Sequence, residues 1–208
     1  MSERVPRLLI PDNTPLSLLS MIGREALDWL FAPGVEIWVT DMVRHEAFRD
    51  PGPGDDQRTE QREALRAWFA DNSNRIGIQP TPEGRDYERE MRNWVRGGKV
   101  LEDKPSWRNR GERSIRDVMS VVSQIVAEGE TVVLLVDDRS ARALVIQEAR
   151  MEGVEADLMA TETFLTLIER DYGIADACDA WMQIGVAAGG RQPNAPMRDP
   201  VYIRKPFS

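Results

Sequence analysis

Only one cysteine and one histidine occur in 208 residues. With Cys178 alone, no disulfide can form within the chain, as expected of a reducing compartment. With His45 alone, no Cys/His zinc cluster can be assembled. Any resident metal must therefore rest on oxygen ligands, and those favour magnesium or manganese. Also missing is any stretch approaching the roughly 18–20 uninterrupted apolar residues of a membrane helix. The opening MSERVPRLLIPD starts basic, but its apolar run is short and soon broken by Asp12, too little for a secretory signal. A cytoplasmic protein with no membrane partner is the expectation. Positive charge is also short. The net charge of −8 argues against a protein that coats nucleic acid by electrostatics alone. It leaves room for an enzyme whose catalytic cluster is acidic and whose basic residues lie elsewhere.

What is present is enough for a folded core. Hydrophobic residues make up 41% and charged residues 30%, the balance of a globular chain rather than a disordered one. The length allows one sizeable domain with decorations. Residues 7–11, 35–39 and 76–80 read as short strands, and TVVLLVDD at 131–138 is the clearest, with five apolar residues in succession before two aspartates. VEADLM at 154–159 reads as a short strand or a turn.

Helical spacing appears between these segments. It runs from Pro15 through Ile22 and on to Phe31, and from a Thr40 cap through Phe48. Charged helices follow, one ending near Asn72 and one from Glu83 to Trp94. A strongly apolar helix from Glu112 is expected to close at Gly129. Arg139–Glu152, a helix capped by Thr161, and one over about 174–187 complete the series. Residues 51–56 and 97–110 carry turn formers and are expected as breaks, and the tail from Gly189 as irregular.

Strands alternating with helices predict an α/β fold with a mostly parallel sheet covered on both faces. Residues 1–175 form the expected domain, with a charged helical insertion at about 51–110; 176–208 add a helix and a tail. In open sheets of this kind, ligands bind beyond the C-terminal strand ends where strand order reverses. Two of the best strands end in aspartate, one at Asp12 and the other at Asp137 and Asp138. If they are neighbours, three carboxylates meet at one edge, and a divalent cation is the natural remedy for their repulsion. Glu46 and Glu112 are further candidates. Their plain readings are a solvated mid-helix acid and a helix-start acid favoured by the dipole.

Four motifs occur in order in this strand–helix setting: IPDNTPLSLL at 10–19, VTDMVRHEAF at 39–48, GERSI at 111–115 and LLVDDRSARAL at 134–144. Together they resemble the PIN-domain family of ribonucleases, particularly toxins of the VapC type, over most of residues 7–172. The resemblance implies a three-layer α/β/α fold and an RNA-cleaving site that uses Mg2+ or Mn2+. It makes Asp12, Glu46, Glu112 and Asp138 the metal-binding acids, with Asp137 a close candidate, and places Thr14 where a small hydroxyl residue often lies. It also implies a homodimer and an antitoxin partner.

RNA would need positive charge around such a pocket. Arg139 and Arg142 follow the aspartate pair, and Arg113 and Arg116 follow Glu112. The plain reading of Arg142 is an i,i+4 pair with Asp138. Lys99, Lys104, Arg108 and Arg110, with Trp94 and Trp107, make a mixed stretch able to grip single strands by phosphate contacts and stacking. Its plain reading is a solvated insertion with packed tryptophans. His45 reads as a surface residue, and Cys178 as packed in the last helix. Two other functions stay open: a catalytically weak PIN-like interaction module, and a receiver-like phosphotransfer domain. The latter needs a lysine at a later strand end, and no convincing one is found.

Overall fold

The structure is a computed structural model and describes residues 5–49, 56–174, 176–189 and 201–203. Five strands form a parallel sheet: β1 (Val5–Pro11), β2 (Glu36–Thr40), β3 (Ile76–Gln79), β4 (Glu130–Leu135) and β5 (Ala156–Met159). β6 (Val201–Ile203) adds an antiparallel edge to β5, and the order is β3-β2-β1-β4-β5-β6. Helices flank the sheet, giving a three-layer α/β/α fold.

Burial explains why the strands read as they do. Leu8, Leu9 and Ile10 of β1, and Val132, Leu134 and Leu135 of β4, are fully buried. A central parallel strand covered on both faces has no solvent side, so it shows a continuous apolar run rather than alternation. β1 pairs with β4 from Val5↔Glu130 to Pro11↔Leu135. The Asp12 amide donates to the Leu135 carbonyl at 2.8 Å, carrying the pairing one residue past β1. From β1 the order runs outward through β2 and β3 on one side and through β4 and β5 on the other. The switch point therefore lies between the ends of β1 and β4.

The helices are α1 (Asn13–Ile22), α2 (Arg24–Asp28), α3 (Asp41–Ala47), α4 (Asp56–Asp71), α5 (Pro82–Arg96), α6 (Arg110–Ile125), α7 (Arg139–Met151), α8 (Thr161–Tyr172) and α9 (Ala177–Ala187). Thr40 caps α3 as expected, its hydroxyl accepting from the Val43 amide. Several details differ from expectation. α6 ends at Ile125, and Gly129 (φ +87°) serves the turn into β4 instead. Thr161 is the first residue of α8 rather than its cap, a position held by Ala160. The stretch 97–109 contains a short 3-10 turn at Leu101–Asp103, and Arg110 already belongs to α6. Residues 201–203 of the expected irregular tail form β6; the remainder, 190–200 and 204–208, lies outside the described residues, as do 51–55 of the expected break. Cys178 is exposed, because α9 turns Ala177, Ala180 and Ile184 inward. Among the described residues no helix is long and apolar enough to cross a membrane.

Candidate functional site

Asp12 follows β1 immediately and stands at the cap position of α1, yet its side chain makes no capping bond to that helix. It is 6% exposed. Burial is the main force that raises its pKa to about 7, and the charges of Glu46, Glu112 and Asp137 push the same way. The adjacent Asn13 amide offsets part of the rise. Four acids from four parts of the chain therefore act on one another at the β1/β4 switch point.

Each is brought there by a different element. Glu46 comes from the last turn of α3, and its pKa is raised by burial and by Glu112. Asn13 donates to it, and Arg49 opposes the shift. Glu112 comes from the first turn of α6. Burial raises its pKa, Asp138 adds to the rise, and Oε2 is buried without a hydrogen-bond partner. Between them lies Gly111, where a side-chain carbon would sit 3.1 Å from Glu46 Oε2 and 3.5 Å from Asp12 Oδ1. Both carboxylates thus crowd the same point of α6, and glycine leaves them the room.

The two aspartates after β4 divide their roles. The Asp137 carboxylate accepts from the Thr161 amide (3.0 Å) and hydroxyl (2.7 Å). It is half-buried; burial raises its pKa, while Thr161 and Arg142 hold the rise back. Asp138 is exposed and caps α7, accepting from the Ser140 and Ala141 amides and the Ser140 hydroxyl. These bonds lower its pKa. The resemblance favoured Asp138 over Asp137; in the structure the charge of Asp137 acts on Asp12 and that of Asp138 on Glu112.

α3 and α6 are locked at their starts. The Thr40 and Ser114 hydroxyls lie 2.6 Å apart, and Ser114 also bonds the Gly111 carbonyl at 2.6 Å. The inserted α5 adds a second lock. Glu83 accepts from Arg110 Nη1 and from Arg113 Nε and Nη2, all at 3.0 Å, so it grips the residues on either side of Gly111 and Glu112. Arg110 is buried, also bonds Glu90 and the Ser106 carbonyl, and lies over Tyr87. Thr81 and Asp41 tie the start of α5 to α3 through two bonds.

The expected basic rim is largely committed elsewhere. Arg142 is buried, and its guanidinium donates to the Val136 and Leu158 carbonyls rather than to Asp138. It sits beneath the strand ends and faces Asp137 as a fixed countercharge. Arg113 is held by Glu83 and Arg116 by Asp117. Lys104 lies over Trp94, whose indole donates to the Val100 carbonyl. Arg139 is exposed at the start of α7, and Thr14 is half-buried in the first turn of α1. His45 is exposed and its ring packs against that of Tyr87 in an edge-type pair. Asn13, Gly111, Ser114 and Glu83 were not singled out in the sequence. Gly111 and Ser114 fall inside the GERSI motif and Asn13 inside IPDNTPLSLL, whereas Glu83 lies in none.

The donor chemistry fits a hard divalent cation. The oxygens are carboxylates, Glu112 Oε2 is an unpaired buried acceptor, and Gly111 leaves space against Asp12 and Glu46. As the side chains stand, no three His, Cys, Asp or Glu side chains among the described residues are arranged to hold an ion. The acids are near enough to raise one another's pKa, and the repulsion of like charges opposes their convergence on a single point.

Compared with protein-family models, with curated proteins and with solved structures, the chain matches none.

Proposed function

We propose that this chain is a metal-dependent endoribonuclease of PIN-like design, hydrolysing RNA phosphodiester bonds at the β1/β4 strand ends. One observation carries the reading: Asp12, Glu46, Glu112 and Asp137 share one electrostatic field at the switch point, and all four have raised pKa values. Such a concentration of strained acids is characteristic of sites that hold cations or move protons.

Asp12, Glu112 and Asp137 are the residues that would hold magnesium or manganese. Asp12 sits on rigid strand-end backbone, and Thr161 fixes the orientation of Asp137. A bound divalent ion supplies Lewis acidity toward phosphoryl oxygen and neutralises charge among the carboxylates. Glu46, steadied by Asn13 and turned toward the groove beside α4, takes the proton of the attacking water. The water oxygen bonds to phosphorus, the bond to the leaving oxygen breaks, and that oxygen takes a proton from solvent while Glu46 gives up the one it accepted.

Purified protein should cleave single-stranded RNA with manganese or magnesium and stop with chelator. Asp12→Asn should fold and lose at least about a hundredfold in rate. Full activity in Asp12→Asn sinks the assignment. The toxin role, with an antitoxin partner and a homodimer, is proposed as the setting of this activity and is tested by growth arrest on expression, again against Asp12→Asn.

A second reading is a PIN-like interaction module with weak catalysis. The use of Asp138 as the cap of α7 favours it, because one expected ligand is spent on helix structure. Calorimetric titration with manganese separates the two: the nuclease binds through Asp12, and the module need not.

A further inference from the structure

A groove of about 270 Å³ opens beside the acid cluster, between α1 and α4. Asn13, Ser17, Glu46, Arg49, Arg58 and Arg62 are among the residues that line it. The described lining thus sets three arginines beside one acid, in a chain whose net charge is −8. Fields of one sign in a cleft concentrate ligands of the other.

Arg49 is the best placed of the three. Its guanidinium carbon lies 3.6 Å from the centroid of the Trp107 ring. A guanidinium laid on an indole face is held in one orientation and presents its N–H donors edgewise, the geometry suited to a phosphate. It also faces Glu46 closely enough to oppose that residue's raised pKa. Arg58, Arg62 and Leu65 of the lining belong to the expected insertion at 51–110, as does Trp107 against Arg49, so the insertion contributes to the groove through α4. That gives its charged helix a purpose beyond solvation.

We propose that this groove binds the phosphodiester backbone of a single-stranded nucleic acid, with the Arg49–Trp107 stack as its central phosphate ligand. The proposal rests on the nuclease reading, because Glu46 belongs both to the groove lining and to the acid cluster, so a bound strand would lie beside those acids. An acidic peptide would meet the same arginines, yet it carries no phosphodiester for the proposed nuclease site to hydrolyse.

The test uses the full chain carrying Asp12→Asn, with fluorescein-labelled single-stranded RNA of twelve nucleotides read by anisotropy in chelator. A DNA strand and a polyglutamate peptide of similar length run alongside. Arg49→Gln and Arg62→Gln should each weaken RNA binding about tenfold and lower the salt slope by about 0.7. Arg150→Gln, on the exposed end of α7, should do neither. Arg49→Lys keeps the charge but not the fork, and should still weaken binding severalfold; it decides the matter if Arg49→Gln melts early. RNA affinity unchanged in both Gln variants overturns the proposal. So does Arg49-dependent capture of polyglutamate without nucleic acid. Equal binding of DNA and RNA supports a backbone site that does not read the sugar. If wild-type protein fails to cleave but RNA binding depends on Arg49, the groove stands and the nuclease reading falls.

Discussion

Asp12 is held against its own charge. Its folded pKa is about 7, against 3.8 for the ordinary side chain. Below about pH 4 it is protonated folded or unfolded and contributes nothing to pH dependence. Between there and pH 7 the unfolded chain releases the proton and the folded chain keeps it, so stability falls as pH rises. Above pH 7 the loss is complete, about 4 kcal/mol at 1.36 kcal/mol per pKa unit. Glu46, Glu112 and Asp137 shift in the same direction. In chelator, denaturant titrations should therefore show the protein weaker at pH 8 than at pH 5.5, with Asp12→Asn flattening much of the difference. A pH dependence identical in wild type and variant would mean that Asp12 is ionised without strain. The buried strand-end place of this residue was legible in the sequence, because a buried-looking strand ran directly into an acid. The different partners of Asp137 and Asp138 were not. Neighbouring residues leaving a strand face different ways, and Asp137 meets Thr161, 24 residues further on, while Asp138 caps α7.

At the scale of elements, Glu83 shows why part of the site stayed hidden. In the sequence it is one acid at the start of a very polar helix. In the fold its side chain is 16% exposed and is shared by Arg110, at 10%, and Arg113. The pairing spans 27 and 30 residues, beyond the reach of any local pattern. Removing one partner of a mostly buried ion pair leaves the others' charge stranded, so Glu83→Gln should cost about 2 kcal/mol in urea unfolding. Glu90→Gln removes a 44%-exposed partner of the same Arg110 and should cost less than about 1 kcal/mol. Amide exchange at Gly111 and Glu112 should quicken in the first variant only. Equal costs and equal exchange would show that α5 does not pin the start of α6. The hydroxyl-bearing residues at helix starts tell a similar story. Thr40 and Thr161 look alike as caps in sequence, but Thr161 gives its amide and hydroxyl to Asp137. A short-range rule names the residue type and not its partner.

Across the whole molecule, the layer order was legible because it depends on long apolar runs and on alternation of strands with helices. β1 and β4 are parallel and adjacent, so two sequence-distant aspartate-ended strands meet at the switch point. The basic rim was less legible, since charge count does not reveal which arginines are already spent. Arg142 and Arg110 proved to be buried, while the groove drew on Arg49 and on α4. If the acids form a metal centre, the repulsion stored there must be released when a cation enters, and the gain belongs to the entire cooperative fold. Manganese at a hundredfold above its dissociation constant should add about 2.7 kcal/mol of stability, raising the melting temperature of a chain this size by about 5–10 °C. The rise should be larger at pH 8 than at pH 5.5, because protons compete with the ion for Asp12 at the lower pH. Chelator should reverse it, and Asp12→Asn should abolish it. A melting temperature indifferent to manganese in the wild type would leave the four acids without a cation to hold, and the interaction-module reading would then take precedence.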